Sequence, residues 1–184
     1  MLIKLNLGYP LLISYNDKDV FKGGWITGID VMFGKKILGG FSFDYIKFIE
    51  GDQVARGELD PSPVGGFRGN VIVQFYGIAL MYKPYPSSLR QRLTPFIQLK
   101  PGLLKRQYDI GGPGFDNFND ADHFTYSIAA GIDIPFRSSL HLFANLEYVS
   151  TAALANTKDF GGLQLNASRT QVTGKLGVLI NFLR

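Results

Sequence analysis

Charged residues set at intervals within otherwise apolar stretches are the feature of this 184-residue sequence that most directly suggests chemistry. Eight of them share this setting: Lys4, Asp30, Asp44, Lys100, Arg106, Asp133, Glu147 and Lys175. Four are basic and four are acidic, so the set is neutral as a whole. Removing an ionised side chain from water is costly unless an opposite charge accompanies it. The set therefore predicts a network of ion pairs.

Candidate catalytic and metal-binding residues are few. His123 is predicted at the outer start of one strand and His141 at the inner start of another, so that a membrane thickness separates them. This separation argues against a metal site that both histidines share. No Cys occurs, so disulfides and thiolate ligands are excluded. Residues 116–122 carry oxygen ligands suitable for a weak Ca²⁺ site, but they lack the spacing of an EF-hand, and we expect a solvated acidic loop. We predict no catalytic residue, no cofactor and no metal site, because nucleotide-binding and metalloprotease motifs are also missing.

Eight runs of alternating apolar and polar residues are the elements that position these side chains. They lie near residues 3–9, 25–33, 41–45, 69–82, 93–108, 124–134, 140–148 and 171–182. The fourth run is apolar on both faces apart from Gln74, so its facing is ambiguous. Pro95 and Pro101 weaken the fifth run as a central strand. A sustained helical period appears nowhere, and the predicted fold class is all-β.

The connections between the runs alternate in length. Long loops are predicted at about 10–23, 50–68, 109–121 and 151–167, with shorter connections at 34–36, 83–92 and 137–139. This alternation predicts an eight-stranded antiparallel up-and-down barrel with a long-loop end and a short-turn end. Residues 1–184 suit a single domain. Because the seventh and eighth strands are neighbours in such a meander, Lys175 is the expected partner of Glu147.

The sorting of side chains between the two strand faces predicts a transmembrane barrel. The chain is 46% hydrophobic and 18% charged, and it has no apolar run long enough for a transmembrane helix. Bulky apolar residues occupy one face of most runs, and small, polar or charged residues occupy the other. That pattern fits a lipid-facing exterior around a narrow lumen plugged by side chains. Aromatic residues predicted to form interfacial girdles are Tyr9, Trp25, Phe33, Tyr45, Tyr82, Phe124, Phe136, Tyr148 and Phe182.

The remaining charges sort by barrel end. The short-turn end carries seven bases and no acid: Lys35, Lys36, Lys83, Arg90, Arg92, Arg137 and Arg184. The long-loop end carries eleven acids and eight bases. Because the basic residues are spread over turns and form no single face, the net charge of +4 is no sign of nucleic-acid binding.

Three stretches resemble the small outer-membrane β-barrel family that includes the OmpA-like and OmpX-like proteins. They are residues 93–102, the hairpin of 124–135 with 140–148, and the aromatic-ended strand of 174–182. The resemblance implies a monomer in the bacterial outer membrane, in contact with the lipid bilayer and lipopolysaccharide. It also implies that Phe182 ends the signal read by the barrel-assembly machinery. The N-terminus is no secretory signal, so the chain is either cytoplasmic or, as the resemblance implies, a mature chain with an added Met1.

The expected function is a non-enzymatic one, envelope-structural or interacting at the cell surface through the long loops. The first alternative is a soluble lipocalin-like or calycin-like barrel that binds a small apolar ligand. The second is a lipid A-modifying enzyme, because the run from His141 to Asn145 is similar to the His, Ser, Asn run of a deacylase. That enzyme would need a nucleophilic hydroxyl beside its base, and position 143 is Phe.

Overall fold

The computed structural model describes residues 1–14, 21–50, 68–84, 93–111, 118–119, 123–151, 158–160, 163–165 and 170–182. Eight long strands run through them: β1 Leu2–Ser14, β2 Phe21–Gly34, β3 Ile37–Glu50, β4 Arg68–Tyr82, β5 Thr94–Gly111, β6 His123–Pro135, β7 Leu140–Thr151 and β8 Thr170–Asn181. Two short additions are Phe118–Asn119, paired with β5, and a small hairpin of Lys158–Phe160 with Leu163–Leu165. No helix in the described part of the chain is long and apolar enough to cross a membrane.

The long strands form one closed sheet. Their order is β4-β3-β2-β1-β8-β7-β6-β5, and β4 also pairs with β5. Every pairing is antiparallel, and each strand lies beside its sequence neighbours except where β1 meets β8. Each long strand therefore pairs with a neighbour on both sides, although residues 9–14 of β1 pair with β8 alone. The predicted all-β, eight-stranded up-and-down barrel is therefore confirmed.

The strands extend beyond the bounds that the sequence pattern indicated. β1 continues to Ser14 and β2 begins at Phe21, so the loop predicted at 10–23 is wrong at both ends. The register between β1 and β8 shifts between Pro10 and Leu12. This irregularity explains how β1 continues past Pro10, which is an imide residue. Residues 109–111 likewise belong to β5. Residues 15–20, 51–67, 112–117, 120–122 and 152–157 lie outside the described residues.

Two local features explain the chain path, one at the short-turn end and one in the middle of β5. Gly34, with φ of 132°, ends β2 in a backbone conformation that other residues rarely adopt, and this allows the tight turn into β3. β5 keeps its strand geometry through both prolines. The β4–β5 pairing stops at Gly77 and Gly102 and resumes at Leu80 and Leu99, so the interruption falls at Pro101, which has no amide hydrogen to donate.

The facing of β4 follows from the burial of its side chains. Val73, Phe75, Ala79 and Met81 are buried in the lumen, whereas Tyr76, Ile78 and Leu80 are exposed. Gln74 lies on the outer face, where it accepts a hydrogen bond from the hydroxyl of Tyr76 at 2.6 Å.

The lumen contains an apolar layer in addition to polar residues. Its members are Leu2, Met32, Leu38, Ala79, Met81, Phe96, Phe143 and Leu179. The expectation that small, polar or charged residues face inward is therefore incomplete, because large apolar side chains share the lumen. Inward glycines on neighbouring strands make room for the rings: an ideal Cβ would lie 2.5 Å from Phe96 Cζ at Gly131 and 2.8 Å from Phe143 Cε1 at Gly177.

Candidate functional site

The centre of the lumen holds a ring of four alternating charges, which we call the charge ring: Asp44, Lys100, Glu147 and Lys175. Strands β3, β5, β7 and β8 each contribute one of them. Lys100 pairs with Asp44 and, at 2.9 Å, with Glu147. Lys175 pairs with Glu147 and, at 3.0 Å, with Asp44. Each cation touches both anions, so the ring is internally neutral and ties strands together across the barrel.

Neighbouring groups hold the charge ring in place. Ser127 Oγ donates to Glu147 at 2.5 Å, and the Asn6 amide donates to Asp44 at 3.3 Å. The Lys100 ammonium lies 5.5 Å from the centroid of the Phe75 ring. Space for Asp44 depends on Gly28, where an ideal Cβ would lie only 1.9 Å from Asp44 Oδ1. Both carboxylates of the charge ring thus have cationic and hydrogen-bonding protein groups as neighbours.

A second cluster, the Gln98 cluster, joins Lys4 and Asp30 through Gln98. Gln98 accepts from Lys4 Nζ at 2.5 Å and donates to Asp30 Oδ2 at 2.8 Å. Lys4 and Asp30 are themselves 3.7 Å apart, and Ser42 Oγ donates to Asp30 at 2.5 Å. The Lys4 ammonium also lies 4.7 Å from the centroid of the Phe143 ring, which connects this cluster to the apolar layer.

A third cluster lies at the short-turn end and contains a residue that was assigned incorrectly from the sequence. Lys83, predicted as one of the bases of the short-turn connections, is buried and pairs with Asp133 at 2.5 Å. It follows β4 on the inward-facing side, and Asp133 is a buried carboxylate within its reach. His141 Nδ1 lies 2.9 Å from Asp133 Oδ1. The described lumen charges therefore comprise four lysines and four carboxylates.

The other predicted site residues have separate positions. Arg106 lies in β5 opposite Val73, but its side chain lies outside the described residues. His123 is buried at the start of β6, away from His141 at the start of β7. The acidic segment 116–122 lies outside the described residues apart from Phe118 and Asn119. Within the described part of the chain, no group of three metal-ligating side chains is brought together.

The outer surface of the barrel carries large apolar side chains along its whole described height. Phe41, Ile37 and Leu7 are exposed by 74%, 71% and 66%. Of the nine predicted girdle aromatics, all are exposed except Tyr45, which is half-buried and contacts Trp25 with ring centroids 5.5 Å apart. Phe182 is exposed, and its backbone N–H donates to the carbonyl of Met1 at 2.9 Å.

Comparison with known proteins supports the fold. No protein-family model matches the chain, and no curated protein matches it. The crystal structure of Neisserial surface protein A is similar over 98% of this chain and 96% of that chain, with a TM-score of 0.57 and 13% identity. A major outer membrane protein from Thermus thermophilus is similar over 98% of each chain, with a TM-score of 0.51 and 11% identity. At such identities the likeness shows the fold, that of the small outer-membrane β-barrels.

Proposed function

We propose that the protein is an outer-membrane β-barrel with a closed lumen, which has no enzymatic activity and acts at the membrane surface through its long-loop end. The observation that carries the proposal is the exposure of bulky apolar side chains around the outside of a closed sheet. In water such a surface would be an extensive hydrophobic patch. In a bilayer it is the expected lipid-facing surface.

The dimensions of the apolar surface support membrane residence. On β2, outward-facing residues from Trp25 to Phe33 cover roughly 26 Å of strand at about 3.3 Å per residue. Tilting by about 40°, as barrel strands do, reduces this height to about 20 Å. That height is comparable to the apolar band of about 25 Å in outer-membrane barrels.

The contents of the lumen support a structural or surface role over transport. The charge ring, the Gln98 cluster and the apolar layer follow one another along the strands, and their side chains are buried and either paired or packed together. The same contents disfavour the soluble lipocalin-like alternative, because a ligand would have to displace several ion pairs. Phe143, buried in the apolar layer, stands where a deacylase-like enzyme would need its hydroxyl.

We also assign the two ends of the barrel to the two sides of the membrane. The polar long-loop end is assigned to the cell exterior, where lipopolysaccharide and an extracellular partner would meet the loops. The short-turn end is assigned to the periplasm. β8 and Phe182, which follows it, are assigned to recognition by the barrel-assembly machinery during insertion.

Membrane residence is tested by extraction and gel mobility. The folded protein should require detergent and should migrate differently on a gel before and after boiling. A monodisperse monomer in detergent-free buffer would overturn the proposal.

Planar bilayers should show little steady conductance, and large porin-like steps would disprove a closed lumen. An epitope inserted within residues 51–67 should be detected on intact cells, and detection only after permeabilisation would reverse the assigned orientation.

A further inference from the structure

In the described turns at the short-turn end, every exposed charged side chain is basic. Lys35 and Lys36 are exposed in the β2–β3 turn, and Arg137 is exposed in the β6–β7 turn. The remaining sequence of this end, including Arg90, Arg92 and Arg184 outside the described residues, adds three more bases and no acid. Lys83 does not belong to this set, because it is buried against Asp133. We call the exposed bases Lys35, Lys36 and Arg137 the basic rim.

Exposed apolar side chains lie directly beside the basic rim. Phe33 precedes the β2–β3 turn, Ile37 follows it, and Phe136 precedes Arg137. The Arg137 guanidinium lies 5.9 Å from the centroid of the Phe136 ring. Aromatic residues favour the depth of lipid headgroups, and cations just beyond them reach the phosphates.

The distribution of the bases suggests what they bind. The described turns that carry them join β2 to β3 and β6 to β7, which lie four strands apart in the closed eight-stranded sheet and therefore on opposite sides of the barrel. A compact acidic protein would meet one patch, whereas the lipids that surround a barrel meet its whole circumference. The long-loop end, with eleven acids beside eight bases, has no comparable excess of positive charge.

We propose that the basic rim binds anionic phospholipid headgroups of the leaflet at the short-turn end, in preference to zwitterionic headgroups. This inference rests on the proposed membrane residence. Lysine supplies a point charge and arginine a planar donor to the phosphate, and a headgroup of the phosphatidylglycerol type retains net negative charge. A phosphatidylcholine headgroup cancels that charge with its own cation.

The test measures lipid selectivity at the barrel surface. The full chain is refolded into phosphatidylcholine vesicles that contain a trace of spin-labelled phosphatidylglycerol or spin-labelled phosphatidylcholine. Electron paramagnetic resonance then gives the association of each labelled lipid with the protein. We expect at least about a twofold preference for phosphatidylglycerol at low salt, because basic residues near a surface attract anionic lipid. The preference should decline in 1 M salt, where the screening length is about 3 Å.

Two matched double variants locate the selectivity. Lys35→Gln with Lys36→Gln removes two rim charges and should lower the preference markedly. Lys47→Gln with Lys105→Gln removes two charges from the outer face of β3 and β5 nearer the long-loop end, and should have less than half that effect. Equal selectivity for both lipids in the wild type, or an equal loss in both variants, would overturn the inference. Absence of any immobilised lipid signal would instead overturn membrane residence, and this inference with it.

Discussion

Two adjoining regions fill the lumen with opposite chemistry. The apolar layer lies nearer the short turns, and the charge ring with the Gln98 cluster lies one pleat or more farther along the same strands. Leu2 precedes Lys4 by two residues on β1, and Phe96 precedes Gln98 by two on β5. Both regions are equally buried, so burial does not distinguish them. They differ in what each side chain requires from its neighbours.

The apolar layer requires volume, and the charge ring requires specific partners. An apolar side chain contacts whatever surrounds it, so a substitution of similar volume keeps most of its contacts. A carboxylate in the charge ring depends on two ammonium groups at fixed positions. The two regions should therefore respond differently to substitutions of equal size.

The largest effect is expected when one member of the charge ring is removed. Glu147→Leu leaves Lys100 and Lys175 with Asp44 as their shared ring carboxylate, so one positive charge is unbalanced. Breaking a buried ion pair by removing one partner costs about 3 to 5 kcal/mol. Urea unfolding of the folded barrel in lipid or detergent would measure the loss. An unchanged urea midpoint would mean that Glu147 is solvated.

A second substitution tests whether that loss comes from charge imbalance. Glu147→Leu combined with Lys175→Met leaves Asp44 paired with Lys100, which is neutral, and should recover much of the stability. The comparison with Lys175→Met alone completes a double-mutant cycle. A double variant no more stable than Glu147→Leu would show that the loss does not depend on Lys175.

A smaller effect is expected in the Gln98 cluster. Gln98→Met keeps the side-chain length but removes the acceptor for Lys4 and the donor for Asp30. Hydrogen bonds to charged groups contribute about 1.5 to 3 kcal/mol, so a loss of about 2 kcal/mol is expected in the same unfolding assay. A loss below about 0.5 kcal/mol would show that Lys4 and Asp30 pair adequately without Gln98.

Loss of the space that Asp44 requires in the charge ring is expected to lower the stability about as much as Gln98→Met, or slightly less. Gly28→Ala would place a methyl group against Asp44 Oδ1 and 2.9 Å from the carbonyl O of Phe43. Overpacking of this kind costs about 1 to 3 kcal/mol. The control is Gly39→Ala, whose Cβ would meet only Leu80 Cδ2 at 3.5 Å, an ordinary contact. Equal unfolding midpoints for both variants would show that the space at Gly28 is unimportant.

The sequence predicted the strand faces wherever the two faces differ in polarity. On β6, Ile128 and Ile132 alternate with Ser127 and Asp133, and the fold has them outside and inside as that pattern predicts. β4 gave no such contrast, because Phe75 and Met81 inside are as apolar as Ile78 outside. Its facing depends on pairing with β3 and β5, which is not visible in one segment.

The lumen chemistry was harder to predict because it depends on register between distant strands. Asp44 meets Lys100 and Lys175 in the lumen, although the strands that carry these two lysines are not sequence neighbours of β3. Phe143 fits inside because Gly177 on β8 lies opposite it. Lys83 was misassigned because its position just after β4 resembles a turn, although a long side chain can return into the lumen. These relations arise only when the barrel closes.

The smallest effect is expected from a volume-conserving change in the apolar layer, which tests most directly whether the two regions differ. Met81 is the register partner of Gln98, and both side chains are essentially fully buried. Met81→Leu changes shape but leaves no polar group without a partner, so it should cost less than about 1.5 kcal/mol. Gln98→Met, a change at its register partner on the adjacent strand, should cost more although it changes volume as little. If Met81→Leu proved the more destabilising of the two, tight packing rather than partner satisfaction would limit this part of the lumen, and the distinction between its two regions would fail.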